Sequence, residues 1–302
     1  MHGALRDDDG IQSPAEVPGE DPPQRDLVSM TQQHSPNPSS SSSVPQAAPL
    51  SGRRAIITGA SSGIGAATAH ALVELGASVV LTARRVDRLA ELESTLSGLR
   101  AGAATTAACD VRDAAAVASV FEAQEAASTP IDLVVANAGL GLGVSPIQSG
   151  DPDDWSTMID TNVKGVLHTV RAALPGLRKR GGGDLVLLGS VAGRQVYPGG
   201  NVYNATKHAV KAIYDALRLD NVGSGIRFTT VDPGMVETEF SVVRLGDQAK
   251  ADAVYDGMSP LTARDVADAI CYALTRPSHV NIGEIVLWPT DQASTRDVHR
   301  SN

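Results

Sequence analysis

Cysteine is nearly absent, with Cys109 and Cys271 the only two among 302 residues. Two lone thiols cannot build a disulfide framework, and they suit a reducing cytoplasm. Long apolar runs are missing too. No stretch approaches the ~20 residues needed to span a bilayer, so membrane insertion is not expected. The first residues are acidic (Asp7, Asp8, Asp9) and carry no apolar stretch, which excludes a secretory signal. There is no basic excess: 25 Lys and Arg stand against 34 Asp and Glu, a formal charge of −9. Seven acids and two bases fall within residues 1–50, leaving only −4 for the rest of the chain, so no nucleic-acid partner is expected. No internal repeat is visible and no metal site is expected.

Proline and serine are concentrated rather than scarce. Residues 1–50 hold eight of the 17 prolines and eight serines, five of them consecutive from Ser39 to Ser43, and no aromatic residue. Such a segment buries too little apolar surface to offset an ordering cost of ~1–2 kcal/mol per residue. It reads as a disordered acidic tail, with a partner-docking role and an over-long reading frame both open. Residues 51–302 read as one folded domain.

In that domain short β-branched runs alternate with helical patterns. Ala55–Thr58, Ser78–Leu81, Thr105–Ala108, Ile131–Ala136, Leu185–Leu188, Phe228–Val231 and Ile285–Leu287 read as seven strands. Ala66–Leu75 and Val202–Val222 show apolar spacings of three and four. Thr262 with Asp265 reads as a helix start, and Pro277 stops that helix after Arg276. Continuous apolar strands separated by helices mean an α/β fold: a Rossmann-type, doubly wound, seven-stranded parallel sheet covered on both faces.

The first strand runs into Thr58-Gly59-Ala60-Ser61-Ser62-Gly63-Ile64-Gly65 and then an Ala-rich helix. Gly59 can make the tight turn, Gly63 can let backbone N–H groups approach a pyrophosphate, and Gly65 can let helix and strand pack closely. The helix start offers free donors and about half a positive charge to that anion. The second strand ends in Ala83 and is followed by Arg84 and Arg85, with no acid before Asp87. Two guanidinium groups at a helix start oppose its dipole unless an anion neutralises them, and the 2′-phosphate of NADP would do so. The alternative is a solvated positive helix end. Asp110 and Val111 after the third strand, and Asn137, Ala138 and Gly139 after the fourth, lie at the same sheet edge and fit the adenine end and the wall of a cofactor cleft.

Tyr203 and Lys207 stand four apart in a helical pattern and share one face. Ser190 ends the fifth strand, thirteen residues earlier, and Asn162 lies in the preceding helical segment. Adding hydride to a carbonyl makes an alkoxide that must be protonated as it forms. A phenol of pKa near 10 becomes a base at neutral pH only after a shift of ~3 units, which a nearby ammonium favours.

These motifs, with Pro233, Gly234, Val236 and Thr238 further on, resemble in order those of the short-chain dehydrogenase/reductase family over about residues 52–290. The resemblance implies that Tyr203 is the general acid/base. Lys207 would lower the Tyr203 pKa and hold the nicotinamide ribose, Ser190 would polarise the substrate carbonyl, and Asn162 would hold a relay water. Pro233 to Thr238 would contact the nicotinamide carboxamide. Asn201-Val202-Tyr203, Glu239-Phe240-Ser241 with Arg244, His279-Val280-Asn281-Ile282 and Pro289-Thr290-Asp291-Gln292 are similar to NADP-dependent 3-hydroxy acid (serine-type) dehydrogenases and clavulanate-pathway aldehyde reductases. The substrate would then be a small 3-hydroxy acid or related aldehyde under a lid near residues 235–260. Arg244 or Arg194 could hold a carboxylate, or either could be solvated. A 3-oxoacyl thioester reductase and a non-catalytic NADPH-binding regulator are the rival readings. Ala205, Ala209, Ala212 and Ala216 form a small-residue stripe that packs either on the chain's own sheet or, as in the resembled family, between subunits of a homotetramer.

Overall fold

Ile56 and Ile57, Val79 and Val80, and Val134 and Val135 are adjacent apolar pairs, and a strand sends successive side chains to opposite faces. Such a strand needs cover on both sides, and the computed structural model, which describes residues 47–301, supplies it. The strands Arg54–Thr58 (β1), Ser78–Ala83 (β2), Ala104–Ala108 (β3), Leu133–Ala136 (β4), Gly183–Leu188 (β5), Ile226–Pro233 (β6) and the last strand, Glu284–Leu287 (β9), form one parallel sheet. Their order is β3-β2-β1-β4-β5-β6-β9. All seven expected strands form, each starting within two residues of its expected start; in β5 and β6 the Gly183-Asp184 and Ile226-Arg227 pairs extend the ladder backwards.

Ile57, Val79 and Val135 face one core with Gly63–Glu74 (α1), Val86–Leu99 (α2) and Ala263–Leu274 (α9). Ile56, Val80 and Val134 face the other with Ala114–Glu125 (α3), Gly165–Lys179 (α5) and Asn201–Asp220 (α6). The Thr262–Asp265 capping box forms at the start of α9. That helix ends at Leu274, before the expected Arg276, because the chain tightens into a final turn in which Arg276 N reaches Ala273 O.

The expected tail lies outside the described residues up to residue 46. The expected division at residue 50 cuts packed structure: Leu50 is buried and its N–H donates to Leu75 O at 2.9 Å. Ala205, Ala212 and Ala216 are exposed and Ala209 half-buried, while Val210, Tyr214 and Leu217 of the same helix turn to the sheet. The alanine stripe therefore does not pack on the chain's own sheet. Among the described residues no helix is long and apolar enough to cross a membrane.

Beyond β6 the chain forms a layer that the strand pattern did not reveal. Val236–Glu237 (β7) pairs with Leu261–Thr262 (β8), and between them lie Glu239–Leu245 (α7) and Gln248–Ala253 (α8). The end of the chain pins this layer. Gln292 Oε1 accepts from Met235 N at 2.8 Å, Asp291 Oδ2 from Ser259 N at 2.8 Å, and Arg300 Nη2 donates to Val254 O at 2.9 Å.

Candidate active site

The sheet order reverses between β1 and β4, and at this point the carboxyl ends of the strands leave a crevice. A cleft of about 310 Å³ opens there. Gly59 leaves β1 with φ of 68°, and an added Cβ would come within 2.9 Å of Ala138 Cα, so only glycine allows the turn. At Gly65 an added Cβ would strike Gly59 O at 2.5 Å. The Ser62 side chain does not cap α1 and the first turn holds no acid, so the N–H groups of that helix start are not claimed by a side chain. This is a cradle for an anion.

Gly59, Ser61, Ser62, Gly63, Ile64, Arg84, Arg85, Asp110, Val111, Asn137, Ala138, Gly139 and Thr238 all line the cleft. Their partners differ. Asn137 Nδ2 donates to Thr58 O and Gly59 O, bracing the turn from β4. Arg85 donates to the hydroxyls of Ser61 and Ser62. Asp110 is bound to Arg112, whose hydrogen bonds hold the carboxyl below its usual range. Gly65 packs behind the turn. Pro233, Gly234 and Val236 do not line the cleft, whereas Thr238 caps α7 and brings its methyl to the position a Gly63 Cβ would approach at 3.5 Å.

Ser190, Tyr203, Lys207 and Asn162 converge beside the cleft from three elements. Ser190 follows β5 and accepts from Ala192 N at 3.1 Å. Tyr203 and Lys207 lie on the buried face of α6, and Lys207 Nζ donates to Leu188 O at 2.9 Å. Asn162 sits in the π-helical turn Asp160–Lys164 that joins Pro152–Ile159 (α4) to α5. The wider turn aims its side chain at the backbone of Leu140, where Nδ2 donates to the carbonyl and Oδ1 accepts the N–H. A Cβ at Gly139 would lie 3.3 Å from Asn162 Oδ1 and 3.7 Å from Lys207 Nζ, so the two groups flank the same glycine.

The electrostatics correct one expectation. Lys207 was expected to lower the Tyr203 pKa. Within the chain, burial pushes that phenol up, the hydroxyl of Tyr197 adds to the rise, and only a hydrogen bond with Ser190 and the charge of Arg244 act downward. Burial also pulls Lys207 down, to about 8, against the charge of Asp232. Low-dielectric surroundings disfavour the charged form of both groups. In the chain alone the Tyr203 phenol is therefore protonated at neutral pH.

Sequence reasoning gave none of the apolar groups around the phenol a place at the site, although Phe240 was quoted in the resemblance. Met158, Trp155, Leu142, Tyr197 and Phe240 surround it with apolar surface, and Phe240 stacks on it at 5.5 Å, tilted by 56°. Arg194, one of two candidates for a carboxylate, is paired with Asp232 at 2.6 Å and also with Glu284, so its guanidinium is already committed to two acids of the chain. Glu239, at the start of α7, pairs with Arg85 at 2.9 Å and with Arg88. Its sequence signals were the Glu239-Phe240-Ser241 resemblance and an acid in the first turn of a helix, and neither pointed to Arg85.

The chain matches the model of the short chain dehydrogenase family over residues 53–248. It belongs to that family. The sulfoacetaldehyde reductase 2 of Chromohalobacter salexigens is 47% identical over 79% of this chain and 94% of its own length. The NADP-dependent 3-hydroxy acid dehydrogenase of Salmonella typhi is 41% identical over 82% of this chain and 99% of its own. A solved structure, the closed form of a serine dehydrogenase complexed with NADP+, superposes with a TM-score of 0.77 at 39% identity, covering 82% of this chain and all of that one.

Proposed function

We propose that this short-chain dehydrogenase transfers hydride between NADP(H) and a small alcohol or carbonyl compound, a 3-hydroxy acid or the related aldehyde. The observation that carries the reading is the convergence of Ser190, Tyr203 and Lys207 beside a cleft that Arg84 and Arg85 line. The donor set fits a phosphorylated dinucleotide: uncapped N–H groups at α1 for the pyrophosphate, and guanidinium groups for the 2′-phosphate. The relatives named above support NADP and the acid substrate.

When bound, the nicotinamide supplies or accepts the hydride. The chain's own residues manage the proton and the charge. Ser190 Oγ donates to the substrate oxygen, a bond that strengthens as negative charge develops there. Tyr203 Oη gives its proton to that oxygen, and burial keeps the phenol protonated until then. Lys207, held by Leu188 O, carries the proton onward and holds the ribose, with Asn162 across Gly139 as the next group of the relay. Tyr203→Phe is expected to reduce turnover at least about 1000-fold while NADPH affinity stays within a few-fold, read by initial rates and fluorescence titration. Residual activity near the wild-type level would end the reading.

The exposed alanines of α6 support a homotetramer, the small side chains allowing close helix approach; light scattering that gave a monomer would refute it. The free, buried thiols Cys109 and Cys271 support a reducing cytoplasm.

A further inference from the structure

Asp232 is buried near the end of β6, on the face of the sheet that α6 covers, since Val231 beside it points into the core under α1 and α9. The neighbouring strand makes room for it. A Cβ at Gly189, just past the end of β5, would overlap Asp232 Oδ1, so only glycine fits beside this carboxylate. Thr230 Oγ1 donates to Oδ1 at 2.7 Å and Arg194 Nε to Oδ2 at 2.6 Å. Lys207 comes to the same strand end from α6, its Nζ donating to the Leu188 carbonyl of the peptide that leads into Gly189. The loop of Arg194 is pressed against that helix, and a Cβ at Gly193 would lie 2.5 Å from Lys207 O. One peptide thus carries the ammonium on its carbonyl and the carboxylate on its glycine.

Further charges continue the row along α6. Arg194 also binds Glu284 of β9, Glu284 accepts from Lys211 at 3.3 Å, and Lys211 pairs with Asp215 at 2.7 Å. Signs alternate outward from Asp232, and its side chain, 4% exposed, is the deep member of the row. The other elements packed on α6 bring charges that are spent or lie outward. Asp160 and Lys164 of the π-helical turn pair at 2.8 Å, while in α4 Asp153 is exposed and Asp154 half-buried beside Gly143. Burial works against the Lys207 ammonium, and the charge that supports it is that of Asp232.

We propose that Asp232 is a positioning residue for the reaction: its carboxylate holds Lys207 in the ammonium form, and Arg194 sets how much of that negative charge the lysine meets. The assignment rests on the dehydrogenase reading above. When Tyr203 gives its proton to the substrate oxygen, the phenolate left behind needs a cation and a proton beside it. A neutral amine supplies neither. Asp232 acts through the lysine, from the sheet side of the strand end.

The rate of reductive methylation of Lys207 against pH, read by peptide mass spectrometry on the cofactor-free full chain, titrates the amine directly. NADPH oxidation with 3-oxopropanoate over the same pH range reads its part in turnover. The wild-type amine is expected to titrate at about 8. Asp232→Asn should move that midpoint, and with it the alkaline fall of kcat, about one pH unit lower, and Asp232→Glu should restore both. Arg194→Gln should move them about half a unit higher, and it carries the comparison if Asp232→Asn does not fold. A carboxylate that only braced β6 would lower stability in these variants and leave both midpoints in place, which would overturn the assignment. So would a labelling shift that the alkaline limb of kcat does not follow. Labelling shifts as expected, with no NADPH oxidation by the wild type, would uphold the hold of Asp232 on Lys207 and remove the dehydrogenase reading. Turnover whose pH profile Asp232→Asn leaves unchanged would do the reverse.

Discussion

Glu239 reaches from the first turn of α7 to Arg85, its carboxylate 2.9 Å from Nη1, and binds Arg88 as well. The acid at the start of α7 thus occupies one of the two guanidinium groups proposed to meet the cofactor phosphate. Both partners are 42% exposed, so the pair itself contributes under about 1 kcal/mol and opens readily. Its importance is competitive. Glu239→Gln removes a negative charge from the phosphate end of the cleft and is expected to tighten NADPH binding about fivefold at low salt, with a smaller gain at high salt. NADH affinity should change little. Fluorescence titration at two ionic strengths checks this, and an equal gain for both cofactors would mean that the charge acts elsewhere.

Arg84 differs from its neighbour in having no ion pair among the described residues while lining the same cleft. It is the cation that needs no rearrangement to meet a 2′-phosphate. Arg84→Glu is expected to weaken NADPH about 100-fold and NADH by no more than a few-fold, because only the former carries the extra dianion. Comparable losses would point instead to a damaged glycine turn.

The central strands were legible because each is an apolar run facing two cores, a property of neighbouring residues, whereas the edge strands β3 and β9 are half exposed and showed more weakly. Tyr203 and Lys207 were legible for the same reason, since a spacing of four on one helix fixes a shared face. What escaped depends on distant packing. The bond between Arg244 and Gly143 joins residues 101 positions apart, and no local pattern marks it. The direction of the Tyr203 pKa follows from burial by Phe240, Tyr197 and Met158, which come from three separate segments. The start of the folded body was misread because Leu50 is a single apolar residue at the end of a Pro- and Ser-rich stretch, and its burial against α1 has no periodic signal.

Asp184 lies at the opposite end of the strands from the cleft, in β5, and bridges Arg53 at 2.9 Å and Arg227 at 2.6 Å with its own side chain only 6% exposed. Removing one partner of a buried network strands the others without compensation. Asp184→Ala is expected to lower stability by about 3 kcal/mol and the melting temperature by roughly 6–12 °C. NADPH affinity measured well below the melting range should hold, because no cleft residue touches this network. Urea denaturation and thermal melts check the first part, and a loss below about 1 kcal/mol would mean that Asp132, also bound to Arg53, carries the network alone.

Lys207 is a cation kept where burial opposes its charge, and its pKa of about 8 lies below the 10.5 of an exposed lysine. Below about pH 8 the ammonium is present in both folded and unfolded chains, and the fold bears the full cost of burying it. As pH rises toward 10.5 the folded chain has already lost that proton and the unfolded chain loses its own, so the cost fades. Lys207→Met, which keeps the bulk and removes the charge, is therefore expected to stabilise the fold by about 1–3 kcal/mol at neutral pH, with the gain shrinking through alkaline pH and turnover lost throughout. Urea denaturation at neutral and alkaline pH reads the two limbs. If Lys207→Met destabilised the fold at neutral pH, the hydrogen bond to Leu188 O would outweigh the buried charge, and the lysine would have to be counted as a structural strut as well as a proton carrier.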